Sequence, residues 1–159
     1  MMHINIIALG RMSEKFYSDA MREYEKRLSA YCKINIVELP EARVSDESSQ
    51  AAIRAALLSE AKQIEKHISK GYNVAMCIEG GELTSEVFAE RIAVLMTGGS
   101  SRINFIIGSS HGLYEDIKKR SDLRLSVSKM TLPHQLCRVV LLEQIYRAFK
   151  INAHESYHK

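Results

Sequence analysis

LSVSKMTLPHQLCRVVLLEQIYRAFK, residues 125–150, passes from a short strand (Leu125–Val127) through a polar loop closed by Pro133 into a helix predicted over residues 135–150. At about 100° per residue, Cys137, Leu141, Leu142, Ile145, Tyr146, Ala148 and Phe149 fall on one apolar face of that helix. Arg138 falls in the middle of the same face. Glu143, Gln144, Arg147 and Lys150 occupy the opposite arc, with Leu136 and Val140 among them. A guanidinium keeps its charge and is costly to bury alone, so Arg138 demands an anionic or hydrogen-bonding partner, expected near the loop Ser128–His134. It reads either as a structural arginine paired with a carboxylate at the first helical turn or as a functional one.

Upstream, strands and helices alternate without an internal repeat or a linker. His3–Leu9, Lys33–Leu39, Asn73–Ile78, Arg102–Ile107 and Leu123–Val127 read as strands from their β-branched, apolar runs. Between them the pattern predicts helices over 14–30, capped by Ser13 and carrying Phe16, Ala20, Tyr24 and Leu28 inward; over 50–69, with Ile53, Leu57, Ile64 and Ile68 inward; over 85–96; and over 115–120. Glu79-Gly80-Gly81 reads as a turn and the charged segment 40–49 as a loop. Such alternation specifies an α/β fold, a five-to-six-stranded, mainly parallel sheet with helices on both faces, in one domain spanning 1–159. Ligands of such sheets bind beyond the strands' C-terminal ends, which here are Met76–Gly81, Gly108–Leu113 and Ser128–His134.

A hydrophobic fraction of 46% with 26% charged residues excludes disorder. No apolar segment approaches the roughly 18 residues of a membrane span and no signal-peptide pattern opens the chain, so a cytoplasmic protein with no membrane partner is expected. Cys32, Cys77 and Cys137 are odd in number and far apart, which offers neither a disulfide framework nor a metal site. The net charge of +3 is unevenly spread: residues 1–101 hold 12 Lys/Arg and 14 Asp/Glu, residues 102–159 hold 10 and 5. The C-terminal excess suits either a solvated basic face or a phosphate-bearing partner.

Two short motifs need structural context. Gly108-Ser109-Ser110-His111-Gly112 matches G-x-S-x-G between a strand and a helix, and Asp122 and His134 follow in the order of a hydrolase triad. The same glycines would also bring backbone N–H groups close to a ligand. His154-Glu155-Ser156-Tyr157-His158 matches H-E-x-x-H, which binds zinc only when a helix presents both imidazoles; at a chain end a solvated tail is the simpler reading. No G-x-G-x-x-G follows the first strand, so a Rossmann-type cofactor site there is unsupported.

The run Ser126–Gln135, with Arg138-Val139-Val140, Glu143–Ala148 and Tyr157-His158-Lys159, closely resembles the ribosomal RNA large-subunit methyltransferase H family. Gly10, Tyr24–Leu28 and Gly108–Leu113 match as well, and the resemblance covers the whole chain. It implies a SPOUT methyltransferase with a C-terminal trefoil knot, working as a homodimer on the assembled ribosome. The implied reaction moves a methyl group from S-adenosylmethionine to N3 of a pseudouridine in 23S rRNA. Donor contacts carry over to Met76, Gly108, Val127, Ser128, Lys129, Met130, Thr131 and Leu132, all in the strand-end loops. Cys77, Glu79, Glu155 and Ser156 depart from the family's usual residues, outside its core motif. On the implied reaction Arg138, His154, Tyr157 and His158 become catalytic candidates: a histidine for the N3 proton, Tyr157 for the nucleobase, Arg138 for phosphate or developing charge. A serine hydrolase and a non-catalytic ribosome-binding protein are the rival classes. A helix contacting a partner subunit would also account for Leu136 and Val140 on the polar arc.

Overall fold

The computed structural model describes residues 1–159, in which five runs rich in Ile, Val and Leu form one sheet. They are β1 (His3–Leu9), β2 (Lys33–Leu39), β3 (Tyr72–Glu82), β4 (Arg102–Ile107) and β5 (Leu123–Ser126), in the spatial order β2-β1-β4-β3-β5. Every ladder is parallel, so all five C-terminal ends open on one side. The helices are α1 (Lys15–Leu28), α2 (Gln50–Glu65), α3 (Ser85–Thr97), α4 (Glu115–Arg120) and α5 (His134–Asn152).

Alternation along the strands divides the core in two. Ile4, Ile6, Val74, Ile103 and Phe105 pack with Met21 and Leu28 of α1, Phe88 and Ile92 of α3, and Leu142 and Ile145 of α5. Ile7, Leu9, Ala75 and Ile106 face the other way, against Ala61 and Ile64 of α2 and Ile117 of α4. Each fully buried Ile or Leu contributes about 1.5–3 kcal/mol, which makes this two-sided burial the main force holding helices to sheet.

A polar row crosses the second face. Asn35, Asn5, Asn104 and Asn73 stand in register on four adjacent strands. Asn5 Nδ2 donates to Asn104 Oδ1 at 2.7 Å, and Asn104 Nδ2 donates to Asn73 Oδ1 and to the Lys70 carbonyl, both at 2.8 Å. Asn104 is fully buried yet satisfied, so the row fixes strand register without leaving a polar group unpaired.

Three local expectations change. Phe16 is 63% exposed, because a strict four-residue interval drifts about 40° per step off the helical face; the buried side of α1 is Met21 and Leu28. Ser13 does not cap α1. Instead Gln135 of α5 accepts from the Ser13 and Glu14 N–H groups at 3.2 and 3.4 Å and donates to Ser13 Oγ at 2.9 Å, so the cap comes from a distant helix. Glu79-Gly80-Gly81 is an irregularity within β3 rather than a turn, and pairing with β5 resumes at Gly81↔Leu125. A Cβ on Gly80 would lie 2.8 Å from the Leu125 backbone, which explains the glycine.

Candidate functional site

The ends of β3, β4 and β5 and the start of α5 enclose a cleft of about 730 Å³. Met76, Gly108, Val127, Ser128, Met130, Thr131 and Leu132 line it, which is seven of the eight expected donor contacts. Lys129 is exposed and outside the lining. Ile107, Leu113, Leu125 and Cys137 add apolar wall. The volume and the mix of apolar side chains with loop backbone groups fit a nucleoside bearing a thioether or sulfonium tail.

Two loops shape the cleft. Gly108 leaves β4 so close to the returning chain that a Cβ would sit 2.3 Å from the Gly112 carbonyl oxygen; Gly112 itself has φ +82°. The loop after β5 braces itself: Ser126 Oγ donates to the Ser128 carbonyl at 2.8 Å, and the Met130 N–H donates to Ser128 Oγ at 3.0 Å. At the rim, the Lys118 ammonium 2.6 Å from Glu79 holds that carboxyl below the usual range. Burial pushes the Cys77 and Cys137 thiols up, so neither is an activated nucleophile.

The rival motifs do not assemble. Asp122 accepts from the Asn73 N–H at 2.7 Å at the beginning of β3 and β5. That is about 13 Å of strand from the cleft end, too far to orient a base for Ser110. Ser110 is exposed, and His111 pairs with Glu47 at 2.8 Å. α5 stops at Asn152, and His154 has φ 55°, so the H-E-x-x-H residues are not helical and do not present two imidazoles from one face.

Arg138 is fully buried on α5, as its position on the apolar face requires, but its partners are not in the Ser128–His134 loop. Nη1 donates to Glu38 Oε2 at 2.8 Å, and Nη2 donates to the carbonyls of Leu9 and Gly10 at 3.0 and 2.7 Å. The ends of β1 and β2 are closer to its face of α5 than the loop that precedes the helix. Glu38 Oε2 also accepts from the Met12 N–H at 2.7 Å, so one carboxylate ties β2 to the β1–α1 connection and to α5.

The tail folds back on α5 and α3. Tyr157 donates to Glu143 Oε1 at 3.2 Å, meets Tyr146 edge to face at 4.9 Å, and lies under the Arg147 guanidinium at 4.8 Å. Burial first, then neighbouring Tyr24 and Glu143, push the Tyr157 phenol up to about 12. His158 sits between Arg147 Nη1, 3.2 Å from its Nδ1, and Glu86 Oε1, 2.8 Å from its Nε2. Arginine only donates, so Nδ1 is the acceptor and Nε2–H donates a hydrogen bond to Glu86. His154 is exposed. No residue of the tail lines the cleft, and Glu143, which holds Tyr157, lies six residues beyond Cys137, about 9 Å along the helix. Sequence reasoning missed Glu38, Glu60, Glu86 and Gln135; only Glu60, a carboxylate at a helical interval from Ala56 and Ile64, left a trace in the pattern.

A family model described as "Predicted SPOUT methyltransferase" matches residues 2–158. The chain belongs to the SPOUT methyltransferase family. A Bifidobacterium adolescentis protein named ribosomal RNA large subunit methyltransferase H is 49% identical, aligned over 99% of this chain and all of the relative. The Bacillus cytotoxicus protein of the same name is 48% identical over the same shares. Among solved structures, a probable methylase family protein from Haemophilus influenzae superposes with a TM-score of 0.57 at 14% identity, over 98% of this chain and 70% of that one. That likeness supports the fold. As a SPOUT methyltransferase the protein uses S-adenosylmethionine, and the strand-end cleft has the size and lining for it.

Proposed function

We propose that this SPOUT methyltransferase methylates N3 of a pseudouridine in 23S rRNA on the assembled ribosome, in the cytoplasm, as a homodimer. The reading rests on one observation above all: relatives named for large-subunit rRNA methylation are up to 49% identical over their whole length and 99% of this chain, cleft-forming loops included in the aligned span. The excess of Lys and Arg after residue 101 suits a phosphate backbone. The C-terminal third, with β3 between β4 and β5, is proposed to thread as a trefoil knot.

Bound S-adenosylmethionine supplies a methyl carbon that N3 attacks in line as the carbon–sulfur bond breaks. The chain's own part is to hold donor and base in line and to accept the N3 proton. Met76, Val127 and Leu132, which line the cleft, would hold the adenosine and backbone groups of 127–132 would orient it, while exposed Lys129 would be free to meet RNA phosphate. The tail does not line its own cleft, and we assign it to the partner's cleft across a dimer that covers Leu136 and Val140. There Tyr157 stacks on the nucleobase, and His154 or His158 takes the proton. His158 becomes a base only after leaving Arg147, because its one lone pair is occupied while docked. Arg138 serves as a catalytic residue only if its guanidinium leaves Glu38.

Intact ribosomes lacking the modification, incubated with radiolabelled donor and this protein, test the reading. Label at N3 of a single 23S pseudouridine is expected. Methylation of another nucleotide, or of naked rRNA alone, overturns it.

A further inference from the structure

Glu60 is a buried carboxylate that the proposed reaction does not use. It is 4% exposed on the inner side of α2, among Ala56, Ala61 and Ile64. Its Oε1 accepts from Ser109 Oγ and its Oε2 from the Ala42 N–H, both at 3.0 Å. Ser109 belongs to the loop whose Gly108 walls the donor cleft, and behind that loop lies a second cavity of about 450 Å³ lined by Glu41, Glu47, Glu60, Ser109 and His111. The Gly108–Gly112 loop is therefore a thin partition between two cavities. From the rear it is held by two side-chain ties, Glu60 to Ser109 and Glu47 to His111 at 2.8 Å. Glu47 is largely exposed, so solvent weakens the second tie and Glu60 is the stronger anchor.

We propose that Glu60 is the positioning residue of the donor site, holding the Gly108–Gly112 partition against the cleft through Ser109 and Ala42. This rests on the reading of the cleft as the S-adenosylmethionine site. The tie needs two acceptors or one acceptor and one donor, because the Ser109 hydroxyl can turn to accept. Glutamine satisfies both partners: its carbonyl takes the Ala42 N–H and its amide donates to Ser109 Oγ. Alanine leaves two half-buried groups, the Ala42 N–H and the Ser109 hydroxyl, without this partner and frees the partition.

Glu60→Ala, Glu60→Gln and Ser109→Ala are compared for S-adenosylmethionine binding by calorimetry, for kcat and donor KM, and for hydrogen exchange at residues 108–113. Glu60→Ala is expected to weaken donor binding about tenfold, raising KM more than it lowers kcat, with faster exchange in the partition. Ser109→Ala shifts binding in the same direction, which serves if Glu60→Ala does not fold. Glu60→Gln restores binding to within about threefold. A folded Glu60→Ala or Ser109→Ala protein that binds the donor as tightly as the parent overturns the proposal, as does unchanged exchange at 108–113. If the parent itself binds no donor, the cleft reading fails instead, and the exchange measurement still decides whether Glu60 holds the partition.

Discussion

The Arg138 guanidinium, with no solvent exposure, donates to Glu38 Oε2 at 2.8 Å and so joins the start of α5 to the end of β2. Removing one member of a buried pair leaves the other charge or its partners unmet. Arg138→Ala is expected to cost about 3 kcal/mol in urea unfolding, since Glu38 and the Leu9 and Gly10 carbonyls all lose a donor. Glu38→Ala costs at least as much, about 3–5 kcal/mol, because it leaves the fully buried Arg138 charge without its carboxylate and the Met12 N–H without its acceptor. An Arg138→Ala protein that is destabilised yet transfers methyl groups at the parent rate per folded, donor-loaded chain identifies the arginine as a brace. A slower rate under those conditions identifies it as catalytic.

Asn104 carries the central links of the asparagine row. Asn104→Leu keeps the volume and strands three polar neighbours: Asn5 Nδ2, Asn73 Oδ1 and the Lys70 carbonyl. A loss of about 3 kcal/mol in chemical unfolding is expected. The row lies near the N-terminal ends of the strands, so donor affinity of the folded fraction should stay within about twofold.

The sheet was legible because burial on both faces imposes continuous apolar runs, and the cleft because parallel strands must open at one end. What escaped were pairings between residues far apart in the chain. Gln135 with Glu14, and Glu38 with Arg138, are pairs 121 and 100 residues apart, and nothing local encodes them. Arg138's position on the apolar face announced that a partner existed; only the fold could say which. Tyr157 and His158 carry no periodic signal either, since their place is set by Glu86, Glu143 and Arg147.

Gly108→Ala is expected to damage the cleft more than the fold. The added carbon would meet backbone, the Gly112 carbonyl at 2.3 Å, and no side chain can swing aside to relieve it. The partition must shift, so donor binding should fall by at least about tenfold in calorimetry, with a stability loss of about 1–3 kcal/mol. Donor binding within twofold of the parent would show that the partition does not shape the site.

Burial holds the Glu60 carboxyl above its ordinary value, with Ala42 and Ser109 opposing, Glu41 adding to the rise and His111 reducing it. A raised acid pKa in the folded state means that the fold favours the protonated form, so its contribution is complete below about pH 4.5 and declines as pH rises through the raised value. Glu60→Gln removes that decline. Unfolding free energies of parent and variant should therefore diverge in the variant's favour on going from pH 4.5 toward 8, at fixed ionic strength. A gap that narrows over that range would place the carboxylate in a stabilising, charge-requiring role.

With its phenol pushed up to about 12, Tyr157 remains a neutral phenol near neutral pH and cannot take the proton that the proposed N3 methylation releases. Its ring is the useful part. Stacking on a base is worth about 1–3 kcal/mol, so Tyr157→Ala should lower kcat/KM for ribosomes about 10- to 100-fold, while Tyr157→Phe, which loses only the bond to Glu143, stays within about threefold. Donor binding should stay within about twofold in both, because Tyr157 is assigned to the nucleobase and not to the donor. His158→Ala and His154→Ala then separate the base: the one whose loss removes the acid limb of the pH–rate profile is the proton acceptor. Parent-like rates for both histidine variants would leave N3 deprotonation to solvent or to the ribosome, with the tail reduced to a stacking platform.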